Sequence, residues 1–378
     1  MPIMQFTPQR LEKIHRSMQH EGIDAVVITR PSNIRYVTGY DLPSHEVPAA
    51  CIVADDARPI LIVSEQQTDG VCPESVMAEV MTYSRHEFND WNFPQGSDFW
   101  PRIVEIVRDL GVDRGTLGLE RNWLSVREFD SLKSLLPDAG FVDFSKILWR
   151  LRQIKDAAEI EAIRQAVRVA EIGIRTGLEI IDIGKSETEM SLEIESVMRG
   201  AGGQLRGIRA AVLVGNHGRL PFARPGSARV AADDLVVIDV TVSFAGYFAE
   251  LARTVHAGHP SADQRSLFEF ALNTVDDIEK KLELGAGLGD VATRTLQNAR
   301  RRGPDYVLSL PLGSSIGLDL REPPFIDPSS TSSVREGCVL SIRPVCFNTA
   351  HGTAKIADMF LMSHNRRENL ASLSRETL

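Results

Sequence analysis

The residues with the clearest chemical potential are Asp239 and Glu250, which lie on the two arms of a predicted β-hairpin. An apolar run ends at Asp239, Ala245 and Gly246 supply turn chemistry, and a second strand pattern carries Glu250. If Phe244 and Ala245 form the loop, the two carboxylates are direct cross-strand partners on one face. Like charges in that arrangement repel. The pair therefore needs a metal ion, an arginine, a shared proton or open water.

The bulk composition limits the class of protein. The chain has 378 residues, of which 43% are hydrophobic, and a net charge of -9, which is typical of a globular protein with room for two domains. The acidic balance argues against nucleic-acid binding. No apolar run approaches the roughly 18 residues of a membrane span, and the N-terminus lacks a signal-peptide pattern. The cysteines lack metal-ligand spacing, which predicts reduced thiols and a cytoplasmic protein: Cys51, Cys72, Cys338 and Cys346.

Two domains are predicted, over residues 1–150 and 151–378. The first alternates helical and strand patterns, which predicts an α/β domain with a mixed or parallel sheet. The second begins with a capping box at Asp156 and Glu159, followed by an amphipathic helix. The strand-rich pattern after it, interrupted by a helix over 262–284, predicts an α+β domain with helices on an antiparallel sheet.

Five segments in the second domain carry a resemblance to a known family. They occur in the order 220–225, 239–254, 312–324, 336–344 and 355–358, and segments 33–39 and 151–155 extend the likeness. Together they resemble the creatinase/prolidase/aminopeptidase P superfamily, the pita-bread M24 family. The resemblance covers nearly the whole chain and implies an α/β N-terminal domain followed by a curved antiparallel sheet with helices.

The resemblance does not extend to most of the family's functional residues. Family peptidases bind two metal ions through Asp, Asp, His, Glu and Glu, and the residues at those five positions are Asp239, Glu250, Ser314, Arg343 and Ala357. A further catalytic histidine is replaced by Phe222, and the histidine of a His-Glu-x-Pro element is replaced by Arg321, with Glu322 retained. A guanidinium repels a cation, and the expected charge of the cluster is about -1 or zero. We therefore expect no metal and no cofactor.

The altered site leads to the hypothesis of a metal-independent hydrolase or lyase. It would act on a C–N bond of a small zwitterionic metabolite, as the resemblance to creatinase-like amidine or guanidino chemistry implies, and not as a metallopeptidase. Glu250 would be the general base or nucleophile, Asp239 would orient it or bind a cationic group, and His217 would replace the lost histidine. The remaining site residues would bind substrate: Arg343, Arg321, Ser314, Phe222, Glu322 and Tyr247.

Several alternatives stay open at this stage. Arg343 could form a structural cluster with Asp239 and Glu250 in a non-catalytic pita-bread binding module. His217 could be a surface turn residue, Ser314 could only fill space, and one weakly held metal ion could remain. The expected partners are a small-molecule substrate and a second copy of the chain, because the resemblance implies a homodimer in which the N-terminal domain contacts the partner's active site.

Overall fold

The computed structural model describes residues 8–43, 47–54, 57–70, 78–84, 98–219, 223–348, 350–364 and 366–377. The chain divides into two compact units, Met1–Arg152 and Gln153–Leu378. The first is an α/β unit and the second combines helices with antiparallel strands, which confirms the predicted fold class.

The first unit is built around one mixed sheet. Its elements are α1 (Pro8–Glu21), β1 (Ala25–Ile28), α2 (Pro31–Thr38), β2 (Ala50–Ala54), β3 (Ile60–Ser64), a 3₁₀ helix (Glu65–Gly70), β4 (Glu79–Tyr83), α3 (Phe99–Asp109), β5 (Thr116–Leu119), α4 (Val126–Leu135), β6 (Gly140–Asp143) and α5 (Ser145–Gln153). The strand order is β4-β3-β2-β1-β5-β6. The pairs β3–β4, β1–β5 and β5–β6 are parallel and the other two are antiparallel. Strand β1 consists of the apolar run 25–28, and all four residues are buried, so this strand lies within the unit's core.

The second unit combines four helices with three antiparallel sheets among its described residues. Its elements are α6 (Ala157–Ile180), α7 (Glu187–Gly200), β7 (Gln204–Val214), a 3₁₀ helix (Gly215–Arg219), β8 (Leu235–Phe244), β9 (Tyr247–His256), α8 (Ala262–Lys281), α9 (Leu288–Arg300), β10 (Tyr306–Leu308), β11 (Gly313–Ser315), β12 (Glu322–Ile326), β13 (Val339–Ile342), β14 (Val345–Asn348), β15 (Gly352–Lys355), β16 (Asp358–Met362) and β17 (Arg367–Asn369). The sheets have the orders β7-β8-β9, β10-β14-β15 and β12-β11-β13-β16-β17. No helix in the described ranges is both long and apolar enough to cross a membrane.

Helix α6 covers one face of the central hairpin, and the carboxylates lie on the opposite face. The predicted capping box at Asp156 and Glu159 is present at the start of α6. Gly177 of α6 approaches Ile238 of β8 so closely that a Cβ there would lie 2.9 Å from the Ile238 side chain. Because side chains alternate along a strand, Asp239 points away from α6.

The predicted register of the hairpin is wrong by one residue on each strand. Phe244 pairs with Tyr247, so the loop is Ala245 and Gly246, whose φ values of 47° and 80° are typical of a type I′ turn. Asp239 therefore pairs with Ala252, and Glu250 pairs with Thr241. The two carboxylates still share one face of the hairpin, but they are diagonal neighbours instead of direct partners.

Candidate functional site

Glu250 is the most completely bonded residue of the site. It is fully buried, and Arg321 donates to both of its carboxylate oxygens at 2.7 and 2.8 Å. The Ser341 hydroxyl donates at 3.0 Å, and the ammonium of Lys355 lies 3.4 Å away. Burial raises the pKa of Glu250, but the charges of Lys355, Arg321 and Arg343 outweigh it and hold that pKa well below its usual range. Glu250 is therefore a permanently ionised anchor for the surrounding cations.

Asp239 keeps one oxygen available. Its Oδ2 lies 2.9 Å from Lys355 Nζ and 3.8 Å from the guanidinium of Arg209. Its Oδ1 is buried and has no hydrogen-bond partner among the described residues. A buried carboxylate oxygen without a donor is costly, so this atom is suited to accept a proton or an N–H from a ligand.

Arg343 is a buried cation whose pairing is incomplete. Nη1 donates to Ser314 Oγ at 3.0 Å, and Nε lies 3.8 Å from Glu250, a distance longer than a hydrogen bond. Burial lowers the pKa of Arg343 to about 10, and the attraction of Glu250 only partly counteracts it. The guanidinium is therefore charged at neutral pH and can stabilise further negative charge.

The cluster carries an excess of positive charge. Two carboxylates face four cationic side chains, Lys355, Arg321, Arg343 and Arg209, so the sum is two positive charges. The expected charge of about -1 or zero is therefore wrong. Sequence reasoning missed Lys355, although it lies in the same short segment as Ala357. It also missed Arg209, which β7 brings alongside Thr241.

Glu322 and Tyr247, which were predicted to bind substrate, contact groups other than the carboxylates of Asp239 and Glu250. The carboxylate of Glu322 accepts from Lys155 Nζ at 3.2 Å and from the Asp319 amide at 3.0 Å. The Tyr247 hydroxyl donates to Glu159 at 3.0 Å and is fully buried. These contacts connect strands of the second unit to the segment that begins α6.

His217 is held by a buried carboxylate. Its Nδ1 lies 2.8 Å from Glu187, which also accepts from the backbone amides of Val214 and Gly226. His217 lies in the 3₁₀ helix after β7, where it contacts Glu187 and, among the described residues, neither Asp239 nor Glu250. Phe222, the remaining predicted site residue, lies outside the described residues.

Family comparisons define the class of the chain. Residues 161–364 match the model described as metallopeptidase family M24, and residues 10–154 match the creatinase/prolidase N-terminal domain. The chain therefore belongs to metallopeptidase family M24.

Several proteins are similar to this chain over nearly its whole length. The Xaa-Pro dipeptidase of Pyrococcus furiosus is 26% identical over 371 residues, which cover 98% of this chain and 99% of that protein. An X-Pro aminopeptidase structure from Thermotoga maritima superposes with a TM-score of 0.84 at 23% identity, covering 97% and 98% of the two chains. A prolidase structure from Pyrococcus horikoshii gives a TM-score of 0.83 at 22% identity, covering 98% and 100%. These two structural likenesses support the fold.

These findings overturn the predicted reaction. The hypothesis of a metal-independent, creatinase-like hydrolase or lyase, set apart from metallopeptidases, is wrong because the matching family is one of metallopeptidases and a relative that spans nearly the whole chain is a dipeptidase. The coarser prediction that this chain is an enzyme is supported, because its family and its relative are peptidases.

The donor set does not fit the two metal ions that the family implies. Asp239 and Glu250 each face a lysine or arginine, Ser314 offers a hydroxyl already bonded to Arg343, and Ala357 offers no side-chain donor. No group of three or more His, Cys, Asp or Glu side chains able to hold a metal occurs in the described part of the chain. A divalent ion prefers several oxygen ligands and is repelled by nearby guanidinium groups. No reaction step is therefore assigned to a metal ion.

Proposed function

We propose that this chain binds and hydrolyses short peptides at the hairpin site of its second unit. The peptide class is supported by membership of the M24 family and by a dipeptidase relative that matches almost end to end. The observation that carries the proposal is the buried Oδ1 of Asp239, which has no donor in the described structure and lies in the same charged cluster as the incompletely paired Arg343.

The zwitterionic ends of a short peptide match the charges of the site. Arg321 and Arg209 are partly exposed, with 37% and 42% of their side-chain surfaces accessible, and can receive a carboxylate. Asp239 Oδ1 can accept an N–H of the ligand or a proton from water. The excess of two positive charges favours ligands that bring negative charge.

The residues support one route for peptide hydrolysis. Asp239 accepts a proton as a water molecule attacks the carbonyl carbon, forming the new C–O bond. The guanidinium of Arg343 stabilises the oxyanion that develops on the carbonyl oxygen. Asp239 then returns the proton to the leaving nitrogen as the C–N bond breaks. Asp239 suits this exchange better than Glu250, because the pKa of Glu250 is held low and both of its oxygens are bonded.

The loss of the family's dinuclear metal centre is a separate part of the proposal, and equal rates of dipeptide hydrolysis with and without added divalent ions would support it. It is supported by the donor set, in which hydroxyl, guanidinium and methyl groups stand at Ser314, Arg343 and Ala357. The homodimer and the cytoplasmic location expected from the sequence stay predictions, and light scattering of the purified protein tests the former.

A dipeptide library tests the function. The purified protein is incubated with Xaa-Pro and other dipeptides, with and without added divalent ions, and the amino acids released are quantified by mass spectrometry. We expect product from the wild type and a loss of about 100-fold or more in Asp239→Asn, with peptide binding retained. The matched control is Glu193→Gln, an exposed carboxylate. Binding without cleavage across the library would contradict the proposal, as would full activity of Asp239→Asn.

A further inference from the structure

We propose that Lys355 is a built-in cation that takes the place of a divalent ion between the two carboxylates and closes this position to metal. The inference rests on the proposed loss of the dinuclear centre, but it does not depend on peptide hydrolysis.

The position of the ammonium group supports this role. Lys355 Nζ lies 2.9 Å from Asp239 Oδ2 and 3.4 Å from Glu250 Oε1, so one cation joins both carboxylates. Its side chain is only 11% exposed. Two diagonal carboxylates on one hairpin face repel each other, and a cation held between them removes that repulsion.

The backbone of Lys355 is fixed by the same hairpin that carries the carboxylates. The Lys355 amide donates to Thr254 Oγ1 at 2.8 Å, and that hydroxyl donates to the Lys355 carbonyl at 2.9 Å. Thr254 is fully buried on β9, which also carries Glu250. Strand β9, which carries Glu250, therefore also fixes the backbone of Lys355. This distinguishes the ion pairs of Lys355 from mobile ion pairs on the surface.

A second buried lysine in the same unit provides an internal comparison. Lys155 Nζ lies 3.2 Å from Glu322 and 3.0 Å from Ser315 Oγ, and its side chain is 1% exposed. It is more deeply buried than Lys355, but it pairs with a single carboxylate among the described residues. Removing Lys155 should destabilise the unit without uncovering a pair of carboxylates, because a metal site needs more than one such ligand.

Metal binding by lysine variants tests the inference. Because Arg343 also repels a cation, the variants share the background Arg343→Glu, which restores a carboxylate at the family's ligand position. Arg343→Glu alone, with Lys355→Met and with the control Lys155→Met are titrated with MnCl₂ and followed by calorimetry and thermal unfolding. We expect no saturable response from wild type, from Arg343→Glu alone or from its combination with Lys155→Met. The combination with Lys355→Met should gain a Mn²⁺ site that raises its midpoint by about 3 °C at roughly ten times the dissociation constant. A folded Arg343→Glu/Lys355→Met protein with no more Mn²⁺ affinity than Arg343→Glu alone overturns the inference.

Metal titration of the wild-type protein provides a second test, in which the absence of binding does not depend on the folding of any variant. A saturable Mn²⁺, Zn²⁺ or Co²⁺ response in wild type, lost in Asp239→Asn, would show that a metal occupies the position assigned to Lys355 and would overturn the inference. Its absence from wild type supports it. Dipeptide hydrolysis is scored separately, so a failed metal result and a failed peptidase result remain distinguishable.

Discussion

Replacing Glu250 by glutamine should destabilise the second unit strongly while hardly changing its shape. The substitution keeps the size of the side chain and removes its charge. Three cations then lose their shared anion: Arg321, Lys355 and Arg343. The side-chain NH₂ group introduced by the substitution would also face a guanidinium N–H at a position where a carboxylate oxygen now accepts a hydrogen bond.

The distances give the size of the effect. Charges separated by 2.7–3.8 Å interact with on the order of 4–6 kcal/mol per pair at an effective dielectric constant of about 20. Most of that energy compensates for the desolvation of the buried ions. Removing one partner of a buried cluster leaves the others uncompensated and costs about 3–5 kcal/mol. Glu250→Gln should lose that amount of unfolding free energy.

Urea unfolding followed by two probes measures the loss. All four tryptophans precede residue 150, so their emission reports on the first unit, whereas far-ultraviolet circular dichroism reports on both units. The control is Glu193→Gln, an exposed carboxylate 3.9 Å from Lys185, which should change the free energy of unfolding by less than about 1 kcal/mol.

Two results would refute this account of the cluster. The first is a Glu250→Gln protein that unfolds within about 1 kcal/mol of wild type. The second is strict additivity in the double variant with Lys355→Met, because removal of one stranded cation should restore part of the lost stability through a coupling energy.

Four further predictions concern the net charge of the cluster, the pKa of Glu250, the capping box of α6 and the buried cysteines. Dipeptides with acidic side chains should bind more tightly than neutral ones, and added salt should reduce the difference in calorimetry. Because the pKa of Glu250 is lowered, its stabilising contribution is present above its usual value near 4.5 and is lost as the pH falls below it. Wild type should therefore lose more stability on acidification than Glu250→Gln. Asp156→Ala should cost about 1 kcal/mol through loss of the capping box, measured by urea unfolding. Alkylation mapped by mass spectrometry should spare three buried thiols in the native protein, those of Cys51, Cys338 and Cys346.

Local patterns in the sequence predicted many of the elements near the site. The 3.6-residue spacing after Asp156 predicts α6, and the apolar run 25–28 predicts β1, because both signals are contained in neighbouring residues. The helix expected over 262–284 is present as α8, but the separate helix α9 was not predicted. The predicted loop was wrong by one residue because it left out Gly246, although a type I′ turn needs positive φ at both loop positions and glycine adopts it most readily.

The candidate site was predicted less completely. Asp239, Glu250, Ser314, Arg321 and Arg343 meet in one cluster, and the ordered segments pointed to that convergence. Lys355 and Arg209 come from β15 and β7, whose positions beside the hairpin depend on non-local strand register. No local pattern encodes that register, so the sign of the cluster's charge could not be read from the sequence.

Hydrolysis in ¹⁸O-labelled water tests the central claim most directly. Wild-type protein, a dipeptide substrate and H₂¹⁸O should yield a released N-terminal amino acid that carries one ¹⁸O in its new carboxylate, and Asp239→Asn should yield almost none. Dipeptides recovered intact from the wild type, or equal labelling by Asp239→Asn, would contradict the account.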